Sequence, residues 1–243
     1  GFKIENININ TSSAQWEIAP DGKTLIQPFS SIKGLGDKAV EQIINNRPFA
    51  TVEELLFDEN IVYSKLNKKA LDALCRSGAL DSLVDDRFNG CKHFWMACVQ
   101  NRPKTTKKLE EHIKLYANEA DFSIEEKIDH VSSLTGIFPL VMTKQIRESI
   151  ERHAVPSIGA WDKNIGVAWF VPREIIPKQT KNGKLYWILR VIDDTSTVTS
   201  IKCWGVRDGD QIHLNRPYAA KLDHNEDWGY STRSIKHTFK LLG

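Results

Sequence analysis

Residues Ile32-Lys33-Gly34-Leu35-Gly36-Asp37-Lys38-Ala39 could hold an anion. Two glycines bracket one apolar residue just ahead of a helix start, and glycine enters positive φ without steric cost, so such a turn can aim successive N–H groups outward. A helix predicted over 37–46 adds its own unpaired N–H groups and the positive end of its dipole. Lys33 and Lys38 supply mobile positive charge, and Leu35 is expected to plug the space between two helices. An ordinary tight helix-to-helix turn would have the same residues, since a lone Gly-x-Gly is a short motif.

The elements that must position this turn are helical. Thr51 with Glu54 three residues on reads as a capping box opening a helix over 52–57. Asn67 starts a second helix over 68–76, with apolar 70, 71, 74 and 75 on one face and Gly78 as the terminating glycine. Two hairpins in tandem follow. The second turn, 63–67, lacks the glycine pair and offers Lys65, Lys68 and Lys69 instead, as a weaker phosphate binder or a structural partner. Residues 86–118 read as helical, broken at Pro103, with Phe88, Cys91, Trp95 and Cys98 toward the core; 124–153 reads as helical with a break at Pro139.

Beyond residue 160 apolar and polar residues alternate, and Lys181-Asn182-Gly183-Lys184 and Arg207-Asp208-Gly209-Asp210 mark turns, as a small antiparallel barrel requires. Alternation puts Trp187, Leu189 and Val191 on one face, assigned to the interior, and Tyr186, Ile188 and Arg190 on the other, joined by Lys202 and Trp204 from the next strand. Rings beside cations suit single-stranded DNA, with bases stacked on aromatics and phosphates met by Lys or Arg. The same rings could instead cover the barrel against the helical half. Lys178, Lys181 and Lys184 add charge around the first hairpin of this region, where charges are often only solvated.

Composition bounds these readings. The 243 residues are 41% hydrophobic, and the net charge of +2 requires any nucleic acid to be met by local patches, not by a uniformly basic surface. No apolar run approaches the roughly 20 residues that span a bilayer, and no signal peptide is visible, so a soluble cytoplasmic protein is expected. The four cysteines show no framework spacing and read as reduced thiols. Cys91, His93, Cys98 and His112 could be imagined around zinc, but their spacing matches no standard site, and buried thiols are the competing reading. Asp193 and Asp194 are adjacent, yet neighbouring strand residues face opposite ways. No catalytic triad, metal site or cofactor site is expected.

The blocks Phe29 to Val40, Asn46-Arg47-Pro48-Phe49, Asn67 to Asp72 and Ser77-Gly78-Ala79-Leu80-Asp81-Ser82 resemble, in order and spacing, the tandem helix-hairpin-helix of the bacterial DNA polymerase III alpha subunit. Ile9-Asn10-Thr11-Ser12 is similar to the segment where that family's fingers end. Residues 126–141 are similar to its following segment, and Thr180 to Ser196 to the first strands of its OB domain. The resemblance implies an α+β chain: a fingers-like end over 1–26, tandem helix-hairpin-helix over 27–84, a helical connector over 85–158 and a five-stranded OB-type barrel over 159–243. It implies a non-catalytic region, since the family's palm with its metal-binding aspartates would lie ahead of Gly1, in a parent bacterial or phage-encoded DNA-directed DNA polymerase. The DNA-binding residues implied are Lys33, Gly34, Leu35, Gly36, Lys38, Arg47, Lys65, Asn67, Lys68, Lys69, Lys178, Lys181, Lys184, Tyr186, Arg190, Lys202 and Trp204, on double-stranded and single-stranded DNA. A sliding clamp and other replisome proteins are further partners the family implies, although no clamp-binding peptide is found. The alternatives are an interaction module docking on the clamp or the polymerase body, and a stand-alone nuclease or repair factor built from the same modules.

Overall fold

The computed structural model describes residues 3–139, 146–148, 150–195 and 197–242. Leu140, Val141 and Ser196, each at the end of a segment resembling the polymerase family, lie outside them. The chain forms two compact units, Gly1–Pro139 and Leu140–Gly243.

The first unit opens with a small sheet, β1 (Lys3–Glu5), β2 (Glu17–Ile18) and β3 (Thr24–Ile26), ordered β1-β3-β2. Three helices follow, α1 (Asp37–Asn46), α2 (Val52–Phe57) and α3 (Lys68–Arg76), of which the second and third start at capping side chains. The hydroxyl of Thr51 accepts from the Glu54 amide at 3.4 Å. The Glu54 carboxylate returns to Ala50, one residue before Thr51, at 2.6 Å, so the expected box is displaced by one position. Asn67 caps α3 by accepting from the Ala70 amide at 3.0 Å. At its other end, Gly78 at φ +84° lets its own N–H reach the Cys75 carbonyl and that of Ala79 the Leu74 carbonyl, which satisfies two orphan acceptors.

Two further stretches complete the unit. The expected helix over 86–118 is two pieces: α4 (Cys91–Phe94), widening into π-helical turns over Trp95–Gln100, and α5 (Thr106–Leu115), with Pro103 in the gap. The first piece starts late because Gly90, at φ +105°, packs its α-carbon against the Asp121 carboxylate, where a Cβ would lie 2.6 Å from a carboxyl carbon. Next comes α6 (Ile124–Thr135), with a full Ser123/Glu126 capping box and Gly136 in the left-handed region. Ile9, Phe29, Ile43, Leu55, Leu71, Leu74, Phe94 and Leu109 form the core. His93 and His112 clip it internally: the His93 Nδ1 accepts from the Asn89 amide at 2.9 Å, its Nε2 faces the Ile113 carbonyl, and the His112 Nδ1 faces the Ala97 carbonyl. Among the described residues no cluster of His, Cys, Asp and Glu could hold a metal. Burial pushes the Cys91 thiol up to about 11 and the Cys203 thiol to about 12, so both stay protonated.

Arg87 ties α2 to α5, meeting Glu53 at 2.7 Å, Asp85 at 2.7 Å and Glu110 at 3.1 Å. Hydrogen bonds from Arg87 hold the Glu53 and Asp85 carboxyls below the ordinary range. A depressed folded-state value stabilises above the unfolded value and is lost as pH falls through the folded one. Arg87→Gln is therefore expected to cost about 1 kcal/mol at pH 7, a figure kept small because these groups are partly solvated. The gap to the parent protein should close as pH drops below the ordinary carboxylate values of about 4, as read by urea melts followed at 222 nm.

The second unit is a curled seven-stranded sheet: β4 (Val167–Gln179), β5 (Leu185–Ile192), β6 (Val198–Trp204), β7 (Tyr218–Lys221), β8 (Asp223–Asn225), β9 (Gly229–Arg233) and β10 (Phe239–Leu241), with a helical turn, α7 (Ile235–Thr238), before the last strand. Strand order is β10-β7-β4-β5-β6-β9-β8, and β6–β9 is parallel while the other pairs are antiparallel. Only buried Leu222 separates β7 from β8, so one short run of chain contributes to both ends of the order. The sheet thus has seven strands where five are expected, with β7 and β8 parted at Leu222 and a short β10 added at one edge. Phe170, Leu189, Val191, Ile201, Cys203 and Leu222 fill the interior. A bulge between Pro172 and Glu174 bends β4, where Arg173 bonds Asn215.

Candidate nucleic-acid interface

The glycine turn lies on the surface of the first unit, with Lys33, Gly34, Gly36, Asp37 and Lys38 exposed. The two glycines have different tasks. Gly34 sits at φ +82°, whereas Gly36 is extended, at φ −84° and ψ 153°, as the N-cap of α1. Of the two, Gly34 alone uses glycine's access to positive φ. Around Gly36 no atom lies within 4 Å of where a Cβ would stand, so this position leaves open space in front of the helix amides. Leu35 is half-buried against the core, as a plug should be, and its N–H donates to the Ile32 carbonyl at 3.3 Å.

Of the amides in the bend, that of Lys33 donates to the Leu134 carbonyl at the end of α6, at 2.8 Å. The N–H groups of Gly34, Gly36, Asp37 and Lys38 have no acceptor among the described residues, and no side chain caps α1. They follow one another at the positive end of a ten-residue helix. Lys69 reaches this row from α3, with its ε-carbon 3.7 Å and its Nζ 4.0 Å from where a Gly34 Cβ would stand. The two turns thus share one cation.

The second turn is built differently. The amides of Lys65 and Leu66 both donate to the Val62 carbonyl at 3.0 Å. Arg102 donates to the Leu66 carbonyl and lies over the Tyr63 ring at 3.9 Å. Lys65, Lys68 and Lys69 are exposed, while the Asn67 side-chain oxygen is engaged as the cap. Arg47 is half-buried and donates to the Ser12 carbonyl at 2.6 Å, so it fixes the exit of α1 to the preceding segment. The same exit is pinned by Asn10, which gives to and takes from the Phe49 backbone at 2.8 Å.

On the sheet, strand register assembles the second candidate surface. Lys178, Tyr186, Trp204 and Arg233 stand opposite one another across β4, β5, β6 and β9, and Ile176, Ile188, Lys202 and Ser231 form the next row. Tyr186 and Trp204 stack at 4.6 Å with 28° between planes. Lys202 holds its Nζ 4.9 Å from the ring centre of Trp228, which is 69% exposed in the β8–β9 turn. Arg190 pairs with Glu174 at 3.2 Å. Lys181 and Lys184 are exposed at the β4–β5 turn, which is closed by the Thr180 amide on the Lys184 carbonyl at 2.9 Å. Leu189 and Val191 are fully buried and Trp187 packs on the core, which matches the face assigned from alternation. Trp228, Arg233 and Arg102 are the residues that sequence reasoning missed. An exposed tryptophan inside the turn Asn225-Glu226-Asp227-Trp228-Gly229 was the signal available for the first of them.

Comparison with known proteins bears on the first unit. The profile of a family described as "Helix-hairpin-helix motif" matches residues 1–89. The DNA polymerase III subunit alpha of Pseudomonas fluorescens is 29% identical over 114 residues, which cover 46% of this chain and 10% of that protein. The DNA polymerase III PolC-type of Bacillus subtilis is 37% identical over 86 residues, 35% of this chain and 6% of that protein. That of Mycoplasmopsis pulmonis is 40% identical over 60 residues, 23% of this chain and 4% of that protein. The chain spans about a tenth or less of the length of these relatives. No helix among the described residues is long and apolar enough to cross a membrane. The chain thus carries a helix-hairpin-helix domain related to segments of DNA polymerase III.

Proposed function

We propose that the chain is a DNA-binding, non-catalytic region of a replicative polymerase of the DNA polymerase III alpha type. In this reading the glycine turn grips the sugar-phosphate backbone of duplex DNA without reading bases. The second unit is an OB-type domain over 159–243 that holds single-stranded template on Tyr186, Trp204 and Lys202, with Lys178, Lys181 and Lys184 along its edge. The OB reading is supported by the parallel β6–β9 pair inside an otherwise antiparallel sheet, and by the run of chain that continues from β7 into β8. The observation that carries the duplex reading is the exposed row of N–H groups at Gly34, Gly36, Asp37 and Lys38, unclaimed among the described residues and flanked by Lys33, Lys38 and Lys69.

Gly36→Val tests it cleanly. An extended N-cap accepts valine's dihedrals and no atom lies within 4 Å of the new Cβ, so the fold should lose at most about 1 kcal/mol of capping. The added methyl groups stand where a phosphate would approach. Loss of its charge-assisted hydrogen bonds should weaken duplex binding at least about tenfold in an anisotropy titration. Unchanged affinity in a variant that melts normally would remove the glycine turn from the mechanism.

A further inference from the structure

A groove of about 850 Å³ opens at the end of the Lys178–Arg233 row, within the second unit. Its lining includes Lys184 from the β4–β5 turn, Trp204, Arg207 and Asp208 from the end of β6, and Arg233 from the end of β9. Its volume lies in the range of small-molecule sites. The wall is held by backbone: the Ser234 amide donates to the Trp204 carbonyl at 3.0 Å, and Gly205 and Ser234 both adopt positive φ. Trp204 is backed by Tyr186, so its ring is braced for stacking.

Charge identifies the occupant. Lys184, Arg207 and Arg233 form no ion pair among the described residues, and Asp208 is the single carboxylate of the lining. The lining itself holds an excess of two positive charges, with the Asp210 carboxylate just outside it turned onto the Arg207 amide at 2.8 Å, and this excess is more than the single charge of an internal phosphodiester requires. It matches a phosphomonoester, which carries about −1.5 to −2 at neutral pH. We propose that this groove is a nucleoside-phosphomonoester site, with the base on Trp204 and the phosphate among Arg207, Arg233 and Lys184, so that the sheet retains a phosphorylated end of a single strand. The proposal rests on the single-strand reading of the sheet and adds a terminal subsite to it.

The test uses the full chain and one short labelled oligothymidylate in three forms: 5′-phosphorylated, 3′-phosphorylated and unphosphorylated, with free thymidine monophosphate titrated separately by tryptophan fluorescence. One phosphorylated end should bind about tenfold tighter than the bare strand, the size of one charge-assisted contact. Arg207→Gln should erase that gap and leave the bare strand within about twofold, since Arg207 lies beyond the end of β6 and outside the rows of the sheet. Asp208→Asn should widen it. Equal affinity of the three strands overturns the terminal site while leaving single-strand binding intact. If no strand binds but the mononucleotide does, and Arg207→Gln abolishes that, the groove stands and the single-strand reading falls. If neither strand nor mononucleotide binds, both fall.

Discussion

Raising monovalent salt from 50 to 200 mM is expected to weaken duplex binding by about a hundredfold, the drop that follows when about four phosphates are neutralised at a slope of roughly 0.9 each. The groups that would neutralise them belong to the first unit. The amide row at Gly34 to Lys38 and the exposed ammonium groups of Lys33, Lys38, Lys65, Lys68 and Lys69 lie around the two turns, and Lys69 serves both. A chain with a net charge of only +2 has little long-range field to add, so the slope should report these local contacts. Lys69→Gln should lower the slope by about one and weaken all duplex sequences alike, because a phosphate contact carries no base information. Anisotropy titrations at four or five salt concentrations give the slope directly. Binding that is indifferent to salt would exclude a backbone grip.

Local chemistry was legible in advance and long-range contact was not. Thr51, Asn67 and Gly78 set helix ends by bonds to amides or carbonyls a few residues away, so their spacing carried the information. The interior face of β5 was equally readable, because one strand's alternation decides it. In contrast, Lys69 over Gly34, the Lys33 amide on Leu134 and Arg102 on Leu66 each join residues more than 30 positions apart. Nothing in the local pattern announces them. The late start of α4 belongs to the same class, since it depends on the Asp121 carboxylate meeting Gly90. At the candidate site this divides the residues: the glycine turn and the Tyr186, Lys202 and Trp204 face could be named from sequence. The sharing of Lys69, the internal engagement of Arg47 and the meeting of Trp228 with Lys202 needed the fold.

Asp193→Ala is expected to destabilise the second unit by about 2 to 3 kcal/mol, the cost of removing four hydrogen bonds to one buried carboxylate from donors that are themselves exposed or half-buried. Asp193 is fully buried at the end of β5. One oxygen accepts from the Gly159 amide at 2.6 Å; the other accepts from the Thr195 amide at 2.9 Å, the Thr195 hydroxyl at 2.7 Å and the Thr197 amide at 3.0 Å. A single carboxylate thus closes the β5–β6 turn and fastens the turn that precedes β4 to it. Gly159 is cut to fit: a Cβ there would stand 2.5 Å from both threonine hydroxyls and 2.8 Å from the carboxylate. Those hydroxyls bond each other at 2.7 Å, and that of Thr195 also bonds the carboxylate, so neither can swing aside without breaking the same network. Gly159→Ala should therefore cost a comparable amount, and the double variant should lose much less than the two single losses together, because both changes dismantle one structure. Asp193→Asn should fall between, since its amide group presents donors where one oxygen received them. Urea unfolding followed by the fluorescence of Trp161, Trp169 and Trp187 reads all four variants against the parent. An Asp193→Ala variant within 1 kcal/mol of the parent, or strict additivity with Gly159→Ala, would mean that the carboxylate is a passenger at a turn held by other contacts.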